Sequence, residues 1–323
     1  MSYRPPFRVS GNAIRLVVEI ASYMDRYSAR TERSEPLKLR RANRVKTIQA
    51  TLAIEGNTLS EEQISAILDG KHVVGPLREI QEVKNAIAVY DIADQLDPFS
   101  VDDFLKAHGM MMAALMDAPG EFRRSGAGVV RGGDVIHVAP PARRVPTLIN
   151  ELFAWLRTSD HHPLIVSCVF HYELEFIHPF ADGNGRMGRL WQSLILGKWN
   201  PAFLRLPVET MVSASQARYY QAINASSAAN DSGIFLDYML GEIRKSLPKP
   251  RAIRAKDGSG ELCDSIFRFI RKSPGVRSRA IAEEFAISAR TVERCLQELK
   301  RQGRIEFRGA PRNGGYFPTD NGG

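Results

Sequence analysis

Apolar residues recur at helical spacing through most of the chain before residue 245. The segments 5–27, 44–55, 163–176 and 190–196 each gather their apolar side chains near one face, as amphipathic helices do. The stretch 120–141 departs from this pattern, because two short apolar pairs flank a Gly-Gly-Asp sequence that is typical of a hairpin turn. We therefore predict a mainly α fold that carries one small β-hairpin.

The C-terminal part of the chain has a different composition and a different order of elements. Residues 246–260 combine prolines, glycines and charged side chains, which is typical of a linker. After the linker, the spacing predicts three helices and then two strands, at 262–272, 278–285, 288–302, 304–308 and 315–318. This order of elements resembles a winged helix-turn-helix domain.

A winged helix of this kind can bind DNA or another protein. Its third helix would point Arg290 and Arg294 outward, and Arg308 and Arg312 would lie near the wing, so these arginines are candidate DNA contacts. Residues 251–323 hold 15 Lys and Arg against 9 Asp and Glu, a balance of +6 within the chain's net +8. Because this excess is modest, both DNA and protein are candidate partners of the tail.

Length and composition narrow the class of protein. A chain of 323 residues with 44% hydrophobic residues can bury a large core and is long enough for two domains. No stretch is apolar enough to cross a membrane, and the N-terminus lacks an apolar signal region. The three cysteines are widely spaced, without metal-ligand spacing. We expect a cytoplasmic protein whose cysteines are buried hydrophobes.

The run from His178 to Arg189 gathers several kinds of functional side chain between two predicted helices. Gly183 to Gly185 precede a helix N-terminus, where unpaired N–H groups and the helix dipole favour an anion. Arg186 and Arg189 lie about one helical turn apart, so their guanidinium groups suit successive phosphates of a polyphosphate. The run is therefore a candidate phosphate site.

Two other residues of the run could supply chemistry at that site. Asp182 would be repelled by bound phosphate unless a cation lay between them, and Mg²⁺ binds through carboxylates together with phosphate oxygens. Histidine readily accepts a proton near neutral pH, so His178 is the candidate base that deprotonates an attacking hydroxyl.

The glycines of the run also fit a rival pattern. Gly183, Gly185 and Gly188 match the Gly-x-Gly-x-x-Gly fingerprint of dinucleotide-binding folds, with Glu209 about twenty residues further on. That fingerprint requires a β-strand before it, whereas helical spacing precedes it here. We therefore favour the polyphosphate site.

The run resembles the signature of the Fic (Fido) family. It matches the pattern His-x-Phe-x-Asp/Glu-Gly-Asn-Gly-Arg-x-x-Arg at every fixed position. Members of that family usually transfer AMP from ATP to a Ser, Thr or Tyr hydroxyl of a protein. The resemblance implies that His178 is the base, that Asp182 holds Mg²⁺, and that the two arginines bind the β- and γ-phosphates. The ATP-binding positions are then Gly183, Asn184, Gly185, Arg186, Met187, Gly188 and Arg189.

Alternatives to AMP transfer stay open. Doc-type relatives are kinases and carry a Lys where this chain has Gly185, which favours nucleotidyl over phosphoryl transfer here. Transfer of another group such as UMP, and removal of AMP, are alternatives. A further alternative is a DNA-binding regulator whose core senses nucleotide without performing chemistry.

Two other segments resemble parts of the same family. The hairpin 120–141 looks like the flap that holds a target segment by strand addition. The pair Tyr219 and Tyr220 resembles the tyrosines that contact the nucleoside. The flap residues on the two arms are Val129, Val130, Val135 and Ile136.

The segment from Thr51 to Asn57 is similar to the family's inhibitory motif Ser/Thr-x-x-x-Glu-Gly/Asn, which includes Gly56. The resemblance implies that Glu55 pairs with Arg189. An arginine neutralised in this way cannot also bind the γ-phosphate, so ATP would be misaligned and the enzyme would rest in an off state.

We thus expect four parts: a leader and inhibitory region at 1–95, a helical Fic core at 96–245, the linker at 246–260, and a winged helix at 261–323. The expected partner is a protein with a hydroxyl side chain. Self-modification and a homodimer are further expectations from the resemblance.

Overall fold

The chain divides into two compact units, Met1–Leu247 and Pro248–Gly323. Each unit has its own cluster of buried apolar side chains. The structure is a computed structural model. It describes residues 3–31, 37–126, 128–131, 134–207, 209–247, 259–285, 287–310 and 314–319.

The first unit is built from helices and one hairpin. None of the helices in the described ranges is long and apolar enough to cross a membrane. The helices are α1 (Gly11–Thr31), α2 (Leu37–Ile54), α3 (Glu61–Leu68), α4 (Leu77–Asp91), α5 (Val101–Met111), α6 (Val145–Thr158), α7 (Pro163–Ile177), α8 (Asn184–Trp199), α9 (Glu209–Ala214), α10 (Gln216–Ala229) and α11 (Gly233–Ser246).

The helices α7 and α8 pack against each other, and the run 178–189 spans the turn between them and the start of α8. Nearly every residue of α7 is buried, which fits its predominantly apolar sequence. Around these helices lie fully buried aromatic rings, including Phe104 and Trp191, whose centroids are 5.0 Å apart. The Trp191 indole donates a hydrogen bond of 2.9 Å to the Pro98 carbonyl. The run is therefore held by a buried part of the unit that is rich in aromatic side chains.

The N-terminal helices share this core instead of forming a separate layer. Ile20 and Met24 of α1 are fully buried, and so is Ile48 of α2, with Leu52 at 1% exposure. The helix α1 packs on α11, and α2 packs on α9. The segment 1–95 is therefore part of one continuous apolar cluster with the rest of the unit.

The first helix begins later than the spacing predicted. We expected it over 5–27, whereas α1 starts at Gly11. The Ser10 hydroxyl accepts a hydrogen bond of 2.9 Å from the Ala13 N–H, as an N-cap does. Upstream, the Pro6 carbonyl accepts from the Ser232 N–H at 2.9 Å, which holds the preceding segment in a non-helical conformation.

The predicted hairpin is present in the backbone. Strands β1 (Gly128–Arg131) and β2 (Asp134–Val138) pair antiparallel, with a register shift between Val129 and Val130. The glycines of the predicted turn, 132–133, lie outside the described residues.

The described residues of the second unit form three helices and a two-stranded antiparallel sheet, in the predicted order. The helix α12 begins at Ser259, so it extends into the stretch 246–260 that was predicted to be linker. On the third helix, Val292, Cys295, Leu296 and Leu299 are buried as expected. The elements are α12 (Ser259–Lys272), α13 (Ser278–Phe285), α14 (Ala289–Arg301), β3 (Ile305–Arg308) and β4 (Gly315–Pro318).

Candidate active site

The run 178–189 comprises a tight turn at 178–183, between α7 and α8, and the first six residues of α8. His178 ends α7 in the left-handed conformation, with φ 50°, and its N–H donates to the Leu174 carbonyl at 2.9 Å. Gly183, with φ 85°, stands at the N-cap of α8. A Cβ at this glycine would lie 2.8 Å from the Met112 sulfur, so the backbone here requires glycine.

Asn184 holds this turn together with its side chain. Its Oδ1 accepts from the Phe180 N–H and its Nδ2 donates to the Phe180 carbonyl, both at 2.9 Å. Phe180 is fully buried and anchors the loop. Met187 is also fully buried, and Gly188 packs closely on α7. Of the predicted ATP-binding positions, Asn184, Met187 and Gly188 therefore serve the hydrogen bonding and packing of the loop.

Arg186 is buried at 3% exposure yet lacks a full set of partners. Its Nη2 lies 3.3 Å from Asp182 Oδ1, and its Nη1 lies 3.6 Å from Glu82 Oε1. Within the described residues, its Nε and Nη1 have no hydrogen-bond partner. A buried guanidinium with two unsatisfied nitrogens fits an anion that completes it.

Asp182 is the residue that could hold a divalent cation. Its Oδ1 accepts from the Gly183 N–H at 2.7 Å, and its Oδ2 lies 3.4 Å from Arg78 Nη2. In the described ranges, no three His, Cys, Asp or Glu side chains are grouped for metal binding. A cation here would therefore need further oxygen ligands, which phosphates can supply.

Arg189 is fully engaged by the end of α2. Its Nη2 lies 2.6 Å from Glu55 Oε1, and it donates from Nε to Thr51 Oγ1 at 2.9 Å and from Nη2 to the Thr51 carbonyl at 3.0 Å. The expected contact between Glu55 and Arg189 is thus observed. A Cβ at Gly185 would lie 2.6 Å from Glu55 Oε1, so the carboxylate lies directly over the glycine loop.

The turn after α2 also reaches Arg186, which the sequence did not predict. The Asn57 amide donates to Glu82 Oε2 at 2.9 Å and to the Glu79 carbonyl at 3.1 Å. Glu82 is the residue that contacts Arg186. The segment 51–57 therefore contacts one arginine directly and the other through α4.

Arg123 fixes the backbone of the candidate base. Its Nε donates to the His178 carbonyl at 2.7 Å, and its Nη groups donate to the carbonyls of Ser125, Pro140 and Ile177. Arg123 is 5% exposed. These bonds join both ends of the hairpin segment to the end of α7, a role that no motif in the sequence indicated.

Tyr219 lies inside the core. It is 2% exposed, and its hydroxyl lies 3.0 Å from His171 Nε2. It also hydrogen-bonds to Glu175, whose pKa burial raises to about 7, while burial lowers the pKa of His171 to about 4. Tyr220 is half-buried and packs edge-on against Tyr219. The nucleoside contacts expected of this pair stay a prediction.

The candidate DNA contacts differ in their surroundings. Arg290 and Arg294 are exposed on α14, opposite its buried face. Arg308 pairs with Glu306 and lies over the Phe317 ring. Arg312 lies outside the described residues, as do the side chains of the flap residues Val129, Val130, Val135 and Ile136.

Comparisons with known proteins identify relatives of this fold. A model of the Fic/DOC family matches residues 98–196. The crystal structure of a Fic family protein from Desulfovibrio desulfuricans is 39% identical, with a TM-score of 0.74, and the match covers 99% of this chain and 100% of that one. A structure of Fic-1 from Caenorhabditis elegans, 24% identical, has the same fold at a TM-score of 0.59, covering 72% of this chain and 70% of that one.

Curated relatives of this chain are named protein adenylyltransferases. Protein adenylyltransferase fic-1 of Caenorhabditis elegans is 31% identical over 189 residues, which is 55% of this chain and 35% of the relative. Protein adenylyltransferase Fic of Aedes aegypti is 31% identical over 174 residues, or 50% and 34%. The chain therefore spans well under half the length of these relatives. Because a Fic family protein matches over its whole length and the family model covers all of the run 178–189 together with α7 and most of α8, the chain belongs to the Fic/DOC family.

Proposed function

We propose that the protein is an adenylyltransferase that moves AMP from ATP to a hydroxyl group of a protein. The observation that carries this proposal is the buried Arg186, whose Nε and Nη1 lack hydrogen-bond partners in the described structure, beside Asp182 and the N-terminus of α8. Such a group is costly to bury unless an anion completes it. The names of the matched relatives support AMP as the transferred group.

In the proposed reaction, the target hydroxyl oxygen attacks the α-phosphorus of ATP while His178 accepts the hydroxyl proton. The bond from the α-phosphorus to the oxygen that bridges to the β-phosphate breaks, and diphosphate leaves. Arg186, Arg189 and the amides of Gly183 to Gly185 would bind the phosphate oxygens and stabilise the charge that develops on diphosphate. Arg123 keeps the backbone of His178 in place.

Asp182 would hold Mg²⁺ in this reaction. The unsatisfied nitrogens of Arg186 mark an anion site next to its carboxylate, and one carboxylate plus phosphate oxygens is a usual ligand set for this ion. When bound, the ion would offset the negative charge of the phosphates.

The contacts of Glu55 support an inhibited resting state. Its carboxylate occupies Arg189 at 2.6 Å and lies over Gly185, where phosphate would approach the backbone. A γ-phosphate would have to displace this carboxylate, because two anions cannot share the same guanidinium face without repulsion. ATP bound without that contact would leave its α-phosphorus misaligned.

The flap is proposed to hold the target. The hairpin β1–β2 is a two-stranded sheet whose neighbours in sequence are tied to His178 through Arg123. An extended target segment that adds to a strand edge would bring its hydroxyl towards the base.

Intact-mass spectrometry tests the proposal. We expect Glu55→Gly protein incubated with ATP and Mg²⁺ to gain the mass of AMP, by self-modification or on an added lysate protein. Wild type should gain far less, and the Glu55→Gly, His178→Ala double variant should gain none. Equal gain in wild type and Glu55→Gly would refute the inhibition, and gain without His178 would refute the base. Parallel reactions with UTP test the alternative nucleotide, and incubation of the modified protein with wild type tests AMP removal.

DNA binding by the tail is a second candidate function. The observation in its favour is that Arg290 and Arg294 are exposed on the outward face of α14. Gel shifts of the full chain with duplex DNA at increasing salt would test it, with an Arg290→Ala, Arg294→Ala double variant as comparison. Phosphate contacts predict affinity that falls steeply with salt and a shallower slope in the variant; a flat response would favour a protein partner.

A further inference from the structure

His108 of α5 connects three parts of the active site. Its ring is fully buried and stacks on Phe180, with centroids 3.6 Å apart and an interplanar angle of 3°. Its Nε2 lies 3.0 Å from the Asp182 carbonyl oxygen. Its Nδ1 accepts a hydrogen bond of 2.9 Å from the Gly120 N–H, at the start of the flap segment. Neither the motif run nor the inhibitory segment includes this histidine.

These partners determine which ring nitrogen carries the proton. A backbone N–H can only donate, so Nδ1 of His108 must be the unprotonated nitrogen that accepts from Gly120. The proton of the neutral ring is then on Nε2, which donates to the Asp182 carbonyl. The Gly120 contact thus directs a donor towards the motif loop.

The hydrogen bond from His108 orients the peptide between Asp182 and Gly183. In a trans peptide the C=O and the N–H point in opposite directions. Because the carbonyl faces His108, the Gly183 N–H faces the other side, where it meets Asp182 Oδ1 at 2.7 Å; that carboxylate oxygen lies 3.3 Å from Arg186 Nη2. The N–H therefore faces the anion site.

A flipped peptide would turn the carbonyl oxygen towards that site and repel phosphate. Glycine restricts such a rotation less than any other residue, and Gly183 already has φ 85°. The loop therefore needs a restraint from outside the motif, and His108 is the buried side chain that contacts the carbonyl.

We infer that His108 is a positioning residue that keeps the Asp182–Gly183 peptide with its N–H towards the nucleotide phosphates. The inference rests on the proposed nucleotide site. This positioning by His108 is separate from the core packing that its stacked ring also provides.

The first test measures the tautomer directly. Long-range ¹H–¹⁵N correlation spectra of the wild-type chain with ¹⁵N-labelled histidine, assigned with a His108→Gln spectrum, should show a protonated Nε2 and an unprotonated Nδ1 for His108. A proton on Nδ1 would overturn the inference. This measurement does not depend on nucleotide binding or activity.

The second test separates positioning from packing. In the Glu55→Gly background, isothermal calorimetry would give the affinity for ADP of three variants. His108→Phe keeps a stacked ring but makes no hydrogen bonds, whereas the amide of His108→Gln can donate and accept. The control, Ser226→Ala, removes the buried hydroxyl that accepts from the Phe235 N–H, far from the loop in sequence. Thermal unfolding of each variant reports its folding.

We expect His108→Phe to bind ADP about tenfold more weakly. Without the hydrogen bond from His108 the peptide can flip, and the Asp182 carbonyl oxygen then faces the phosphates in place of the Gly183 N–H. His108→Gln should recover part of this loss, and Ser226→Ala should bind as the parent does. A folded His108→Phe protein with the parent's affinity would overturn the inference. If the Phe variant does not fold, the Gln variant and the tautomer decide. If the parent itself binds no ADP, the proposed nucleotide site fails, and the inference with it, whatever the tautomer.

Discussion

The two arginines of the motif face acids that come from different elements. Glu55 contacts Arg189 at 2.6 Å, whereas Glu82 lies 3.6 Å from Arg186 and also accepts from Asn57. A carboxylate that is 12% exposed in its side chain competes effectively with an anion for a buried guanidinium, because little water screens it. In the proposed nucleotide site, Glu82 would therefore add to the barrier that phosphate meets.

The substitution Glu82→Gln should raise the affinity for ADP about threefold or more, since it removes a negative charge beside Arg186 and keeps the size of the side chain. Calorimetric titration of wild type and variant would measure this. Glu61→Gln, an exposed charge removal in the first turn of α3, is the matched control and should change nothing. A weaker affinity in Glu82→Gln would show instead that Glu82 orients Arg186 for phosphate.

Glu175 should make stability depend on pH. Burial raises its pKa to about 7, so from pH 4.5 to 7 the unfolded chain releases this proton while the folded chain keeps it. The free energy of unfolding contributed by Glu175 is therefore full below pH 4.5 and falls by up to about 3 kcal/mol as pH rises to 7. His171, with a pKa lowered to about 4, has the opposite slope between pH 6.5 and 4.

Comparison of Glu175→Gln with wild type isolates the contribution of the Glu175 carboxyl, because both proteins contain His171. The melting temperature of the variant relative to wild type should rise steadily from pH 5 to pH 7.5, as measured by scanning calorimetry. An exposed control, Glu121→Gln, should follow wild type across the range. A variant curve parallel to wild type would mean that Glu175 is ionised in the folded chain.

At the scale of single residues, the contacts that can be predicted from a sequence are those between residues of recognised motifs. Glu55 and Arg189 could be paired in advance because each belongs to a recognised pattern. His108 and Arg123 donate to backbone carbonyls of residues far away in sequence. Every residue has such a carbonyl, so residue types do not indicate these contacts. Glu82 needs the folded position of α4 to be placed beside Arg186.

At the scale of elements, Arg123 joins the hairpin segment to the end of α7 through four carbonyls. Arg123→Met should leave these buried acceptors unsatisfied, at about 1–3 kcal/mol each. We expect the melting temperature to fall by about 6 °C or more, given about 2–4 °C per kcal/mol for a domain of this size.

The adjacent Arg124 is the matched control for this substitution. Its side chain is 88% exposed and pairs with Glu121, so Arg124→Met should change the melting temperature by less than about 2 °C. Equal shifts in the two variants would contradict the role of Arg123 as a clamp. The same clamp predicts that hydrogen exchange of the backbone near His178 rises in Arg123→Met only.

Element types were easier to predict than their ends. The periodic apolar positions of α7 and α14 predicted both helices within a residue or two, because burial of one face depends on spacing alone. The start of α1 depended instead on Ser10 and on a contact between Pro6 and Ser232, which lies more than two hundred residues away. The helix α12 likewise includes residues 259 and 260 of the expected linker.

At the scale of the whole molecule, the two apolar clusters have no member in common. Each unit is therefore expected to unfold as its own cooperative transition. Calorimetry of the full chain should show two transitions, and expressed fragments 1–247 and 248–323 should each reproduce one of them. A single transition in the full chain, with unfolded fragments, would show that the units depend on each other.

The packing of α2 determines how the proposed inhibition by Glu55 can be relieved. Because Ile48 and Leu52 are buried in the main core, the helix cannot leave without unfolding the unit, which is slow. The Glu55 side chain is 32% exposed and lies just beyond the last residue of α2, so it can rotate away from Arg189 by itself. Relief of the proposed inhibition therefore needs one side chain to change rotamer while α2 stays in place, and its extent is set by the relative free energies of the two Glu55 rotamers.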